Sequence, residues 1–91
     1  MLLKEITEKV KDGKTVKMEI GIEDNVIRSM IISGDFFAYP VEEFERFQRY
    51  FEGMTVTREN IHRLIEVFQN KITLSGISFR TVEEMLLRVL L

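Results

Sequence analysis

The 91-residue sequence predicts an α+β domain, a three-stranded antiparallel meander followed by three helices packed on it. Three observations carry that expectation. Apolar and polar residues alternate with a period of two in the first part of the chain. Beyond residue 40 the apolar spacing becomes three and four. The change falls at one stretch, Ile31-Ile32-Ser33-Gly34-Asp35-Phe36-Phe37-Ala38-Tyr39-Pro40, which starts as a strand, breaks at a glycine and an acid, and reaches the only proline.

In residues 2–10, Leu2, Ile6 and Val10 recur every four positions with Lys4 and Glu8 between them, a spacing that suits a strand face or a helical stripe. The following Lys11-Asp12-Gly13-Lys14 decides for a strand, because Asp-Gly supplies the positive-φ turn that closes a β-hairpin. Residues 15–22 form the clearest strand, with Val16, Met18, Ile20 and Ile22 alternating with Thr15, Lys17, Glu19 and Gly21. Glu23-Asp24-Asn25 is a second turn, in which Asn25 accepts a left-handed conformation. Residues 26–33 make the third strand. Val26, Met30 and Ile32 fall on one of its faces and Ile27 and Ile31 on the other, so both faces need cover. Two readings fit: a central strand wrapped by the chain itself, or a face covered by a second protein.

Pro40 suits the first turn of a helix, where its missing N–H costs nothing, and Glu42, Glu43 and Glu45 favour the positive end of the helix dipole. Val41, Phe44, Phe47 and Phe51 mark the stripe expected to be buried, and Gly53 is placed to end the helix. Thr57 caps a second helix with Ile61, Leu64, Ile65 and Phe68 on one face. Residues 71–79, with Gly76 among them, read as a connector holding one short extended or helical turn. Thr81 and Glu84 form a capping box for a last helix whose apolar set is Val82, Met85, Leu86, Val89 and Leu90.

Composition narrows the function. Residues 1–39 carry six basic and seven acidic side chains, and residues 40–91 carry seven and eight, so neither half has the basic excess of a nucleic-acid binder. With no cysteine there is no disulfide, thiolate metal site or cysteine nucleophile. No apolar run approaches the ~18 residues of a membrane span. A cytoplasmic protein, made as one domain over residues 1–91, is expected.

Asp35 is the most informative polar residue. Beside Gly34 and two phenylalanines it is suited to accept backbone N–H groups in the turn or to meet a partner; no second motif makes it a general base. Phe36, Phe37 and Tyr39 do not all point inward if the segment is extended, whereas a bent loop would tuck all three under the first helix. His62 falls about 100° off the centre of its helix's apolar stripe and has no histidine or cysteine beside it, which favours a solvated side chain over a zinc ligand. Glu42-Glu43 and Glu83-Glu84 read as helix-opening acids. No glycine-rich phosphate loop is present.

These pieces together resemble the C-terminal accessory domain of lipoate–protein ligases. The resemblance rests on Lys14-Thr15-Val16-Lys17-Met18-Glu19-Ile20, Val26-Ile27-Arg28 and the Gly34-Asp35-Phe36-Phe37 turn with Tyr39-Pro40. It continues through a glutamate-rich helix closing at Glu52-Gly53 and the connector Gly76-Ile77-Ser78, covering about residues 10–91. It implies a non-catalytic subunit, separate from a large catalytic partner that carries lipoate, ATP and magnesium. The pair would activate lipoate to lipoyl-AMP before transfer to a lysine of a lipoyl carrier domain. No cofactor is expected on this chain itself. The surface expected to meet the partner comprises Asp35, Phe36, Phe37, Tyr39, Ile27 and Ile31, with Phe36 or Phe37 docking while Asp35 fixes the turn. The competing reading is a free-standing adaptor or homodimer that uses the same sheet face.

Overall fold

Alternation in the first third of the chain folds as a meander. The computed structural model describes residues 1–10 and 14–91; the Asp-Gly turn expected at 11–14 therefore falls largely outside the described residues. Strands β1 (Leu2–Lys9), β2 (Thr15–Glu23) and β3 (Val26–Gly34) pair antiparallel in the order β1-β2-β3. The β2–β3 turn places both Asp24 (φ 52°) and Asn25 (φ 61°) in the left-handed region, as a two-residue hairpin turn requires. Val16, Met18 and Ile20 of β2 lie at 1% exposure or less and form the floor of the core.

β3 departs from the expected facing, and it is an edge strand with β2 at the centre. Ile22 pairs with Ile27 but its neighbour Gly21 pairs with Ser29, so Arg28 has no partner on β2 and bulges. The extra residue reverses the parity of the strand. Ile27, Met30 and Ile32 consequently all face the core, at 0%, 4% and 5% exposure. Ile31 alone among the isoleucines of β3 points outward, at 53%. The Gly21 N–H, displaced by the bulge, donates to Ser29 Oγ at 3.1 Å.

The outer side of β3 is closed by the chain after the first helix. That helix, α1 (Val41–Tyr50), begins at Pro40 and ends with Phe51 as its C-cap. Gly53, at φ 87°, then turns the chain and donates its N–H to the Ile27 carbonyl at 2.7 Å rather than to the helix. Ile27 N–H returns the bond to Met54 O at 2.9 Å, and Gln48 Oε1 accepts from Ile32 N–H at 2.8 Å.

Helix α2 (Arg58–Phe68) starts at Thr57, whose side chain accepts the Asn60 N–H at 3.0 Å. The final helix, α3 (Phe79–Leu90), starts earlier than expected. Ser78 is its N-cap and accepts from Thr81 N–H at 3.1 Å, so Thr81 lies inside the first turn instead of capping it. Glu83 and Glu84 accordingly fall beyond the first turn. Glu84 pairs with Arg80 at 3.3 Å, whereas Glu83 reaches across to α2.

All three helices meet at one ring. Phe47 is fully buried, with ring centroids 5.9 Å from Phe44, 5.2 Å from Phe51, 5.4 Å from Phe68 of α2 and 5.7 Å from Phe79 of α3. The expected stripe on α1 holds for Phe44, Phe47 and Phe51, but Val41 stays 57% exposed. The rings of α2 and α3 that bury the stripe lie against Phe47, nearly two turns further along, and do not reach Val41. The other face of α3 sits on β1, where Lys4 Nζ donates to the Val89 carbonyl at 3.2 Å and Arg88 pairs with Glu8. Truncating Phe47→Ala is expected to cost about 3–5 kcal/mol, the range for a fully buried phenylalanine. Equilibrium urea unfolding measures it.

Candidate partner-docking surface

The turn at Gly34-Asp35 ends the meander by a substitution of groups. Asp35 N–H donates to the Thr15 carbonyl at 2.8 Å, continuing the β2–β3 ladder by one step. The return bond is made by the side chain: Thr15 N–H donates to Asp35 Oδ2 at 3.3 Å. The main-chain carbonyl of Asp35 is thereby released and turns toward Gly76, where a Cβ would lie 3.2 Å from it. Of the roles open to Asp35, acceptance of a backbone N–H is therefore the one seen. Gly34 has φ 143°, and a Cβ there would collide with the Thr15 carbonyl oxygen and lie 2.9 Å from Val16 Cα.

Past the turn the chain does not coil under α1. Residues Phe37–Tyr39 form a short strand, β4, that pairs antiparallel with β5 (Thr73–Ser75), in the register Phe37↔Ser75, Ala38↔Leu74 and Tyr39↔Thr73. The connector expected at 71–79 thus contributes a strand. Alternation along β4 sends Ala38 toward the core and leaves Phe37 79% and Tyr39 75% exposed. Phe36 points the other way and packs edge-on against Phe44 at 5.6 Å. A loop tucking all three aromatics inward is thus ruled out. Two of them stand outside on a hydrogen-bonded ribbon, next to the exposed Val41.

Of the six residues expected to meet a partner, Asp35, Phe37 and Tyr39 are exposed and close together in the chain. Phe36 is half-buried behind them. Ile27 is fully buried by the β3 bulge and offers no surface, while Ile31 lies on the outer sheet face beside Leu3 of β1 rather than on the β4–β5 ribbon. Period-two alternation carries no sign of the bulge, nor therefore of the separation of these two isoleucines. Thr15, Lys14 and Gly76 were missed as supports of the turn. Their contacts join segments far apart in sequence, and no local signal carries them.

Elsewhere, His62 is exposed but not alone. Its Nδ1 is 2.8 Å from Glu83 Oε2 on α3 and its Nε2 is 2.5 Å from Glu66 Oε1 one turn along α2. The hydrogen bond to Glu83 and that carboxylate's charge raise the imidazole above its ordinary value of 6.5, with Glu66 adding less. Among the described residues no three His, Cys, Asp or Glu side chains gather into a group suited to a metal ion. Nor, among them, is any helix long and apolar enough to cross a membrane.

Two outcomes are expected. Gly34→Ala should lower stability by more than about 1 kcal/mol, because it combines a close contact with a backbone conformation unsuited to an L side chain; a urea midpoint shift at unchanged slope would show it. For His62, a raised folded-state value means that its bridge contributes fully below the unfolded value near 6.5 and is lost as pH rises through the folded value. The stability advantage of the wild type over His62→Ala should thus be larger at pH 5.5–6 than at pH 9, in a comparison of thermal midpoints.

The description "Bacterial lipoate protein ligase C-terminus" matches residues 4–86, from β1 through most of α3. No curated protein matches the chain. Among solved structures, the chain is similar to one from a structural analysis of an archaeal lipoylation system, a bi-partite lipoate protein ligase and its E2 lipoyl domain from Thermoplasma acidophilum. The two share 23% identity with a TM-score of 0.79, over 93% of this chain and 94% of that one, a likeness of fold. The family match covers the sheet, the Gly34-Asp35 turn and the helix bundle alike, and the chain belongs to the lipoate protein ligase C-terminal family.

Proposed function

We propose that this chain is a non-catalytic accessory subunit of a lipoate–protein ligase, pairing with a large catalytic subunit through the β4–β5 ribbon. The reading draws support from the family match and from the likeness in fold and extent to a chain of a bi-partite ligase system. One observation carries the docking assignment: Phe37 and Tyr39 stand 79% and 75% exposed on a strand whose backbone is fixed at both ends. Pre-ordered aromatics lose little conformational entropy when buried and are favoured interface anchors. Asp35 then acts by holding the turn and not by touching the reaction.

In this reading the partner supplies the sites for lipoate, ATP and magnesium, and the accessory subunit is required for forming lipoyl-AMP. Lipoyl carrier domains are met only by the assembled pair, in the cytoplasm. The test is lipoyl-AMP formation from lipoate and Mg-ATP by the large ligase subunit of the same genome, with and without this chain. Activity in the mixture alone is expected; equal activity in its absence overturns the proposal. Replacing Phe37→Ala should weaken pairing by about 30-fold, the effect of losing an interface anchor of about 2 kcal/mol. The variant's unfolding midpoint should stay near that of the wild type, because the ring is not part of the core.

A further inference from the structure

The three-stranded sheet has two lateral edges, and they are treated differently. Along β3, residues 53–56 and Gln48 take up the outward backbone groups. Along β1, the backbone pairs with β2 on one side only, and among the described residues no other backbone group bonds to Leu2–Lys9. The result is an open edge of eight residues. Such an edge accepts another strand unless something prevents it.

Lys4 and Glu8 are the residues that would prevent it, since charges on the inner face of an edge strand oppose pairing with an arbitrary apolar strand. Their spacing leaves one arrangement in which they assist. If β1 meets β1 of a second copy antiparallel, with Ile6 opposite Ile6, then Lys4 of each copy lies opposite Glu8 of the other and Leu2 lies opposite Val10. Shifting that register by four residues sets lysine against lysine or glutamate against glutamate. Shifting it by two sets Lys4 or Glu8 against Ile6. Only the centred register matches charge with charge and apolar with apolar on the inner face.

One further observation agrees with this occupant. Leu2 is 58% exposed at the end of the strand, where Val10 of the other copy would cover it.

We propose that the β1 edge is a self-recognition surface, on which a second copy of this chain adds its own β1 in the register that places Lys4 opposite Glu8, giving a continuous six-stranded sheet across a two-fold axis. The buried area is that of one strand pair with its flanking side chains, so the association is of the weak, concentration-dependent kind. It uses neither Phe37 nor Tyr39 and is independent of the ligase reading.

The chain's lack of cysteine makes a register test direct. In the proposed dimer Glu5 lies opposite Thr7 of the other copy, and both side chains are exposed on the outer face and outside the core. Tagged Glu5→Cys chain is mixed with untagged Thr7→Cys chain under oxidised glutathione. The disulfide is expected between the two variants, and at least tenfold slower within either variant alone, where the thiol-bearing residues are two positions out of register and beyond the ~7 Å Cα limit for bridging. Sedimentation velocity of the wild-type chain should show a dimer fraction rising with concentration. Equal cross-linking in all three samples would overturn the proposed register. A chain that stays monomeric throughout and forms no disulfide would overturn the surface itself, whether or not the chain activates a ligase.

Discussion

The convergence of three helices on the Phe47 ring is the constraint on which the rest of the structure depends. Phe44 and Phe51 share its helix, Phe68 brings α2 and Phe79 brings α3, each at edge-to-face or tilted distances between 5.2 and 5.9 Å. One fully buried ring thus sets the distance of α2 and α3 from α1. The sheet supplies an apolar floor from Val16, Met18 and Ile20 of β2 together with Ile27, Met30 and Ile32 of β3. Without the reversal of parity at Arg28 that floor would lose Ile27, and the bundle above it would have a gap at the Asn25 end of the sheet. The bulge and the aromatic junction are therefore parts of one packing solution.

The order and type of the main elements were legible because each has a strong local cause. β2 alternates without a fault, Thr57 caps α2, and the spacing of Phe44, Phe47 and Phe51 leaves α1 little choice of face. Misreadings arose where one local signal competed with another. Thr81-Val82-Glu83-Glu84 has the form of a capping box, yet Ser78 three residues earlier offers the same hydroxyl, and Phe79 must lie inside the helix to reach Phe47. Packing decided between the two caps. The β3 bulge and the pairing of β4 with β5 were not legible, although a short extended stretch within 71–79 was one of two readings, because both are set by pairing with segments remote in sequence.

Much the same division applies to the candidate surface. That Phe36, Phe37 and Tyr39 do not all share one face follows from strand geometry, and Asp35 binding backbone is the ordinary use of an acid after glycine. Which ring faces outward depends on β5, whose three residues carry no pattern of their own. The position of Ile31 beside Leu3, away from the ribbon, depends on β1 and was equally hidden. Family resemblance singles out the segment but carries no information about the direction of individual side chains.

The β4–β5 ribbon has a consequence for the order in which the molecule is built. It pairs residues on either side of a loop that contains both α1 and α2, so its hydrogen bonds follow a costly closure. The hairpins of the meander close through short turns, and α1 and α2 form from neighbouring residues; both precede such a closure. Phe37 and Tyr39 acquire their outward orientation only when β5 pairs with β4. During synthesis the paired ribbon is absent until the chain has passed Ser75, and a truncated or half-folded product lacks it. The arrangement ties presentation of the two rings to a chain completed through β5.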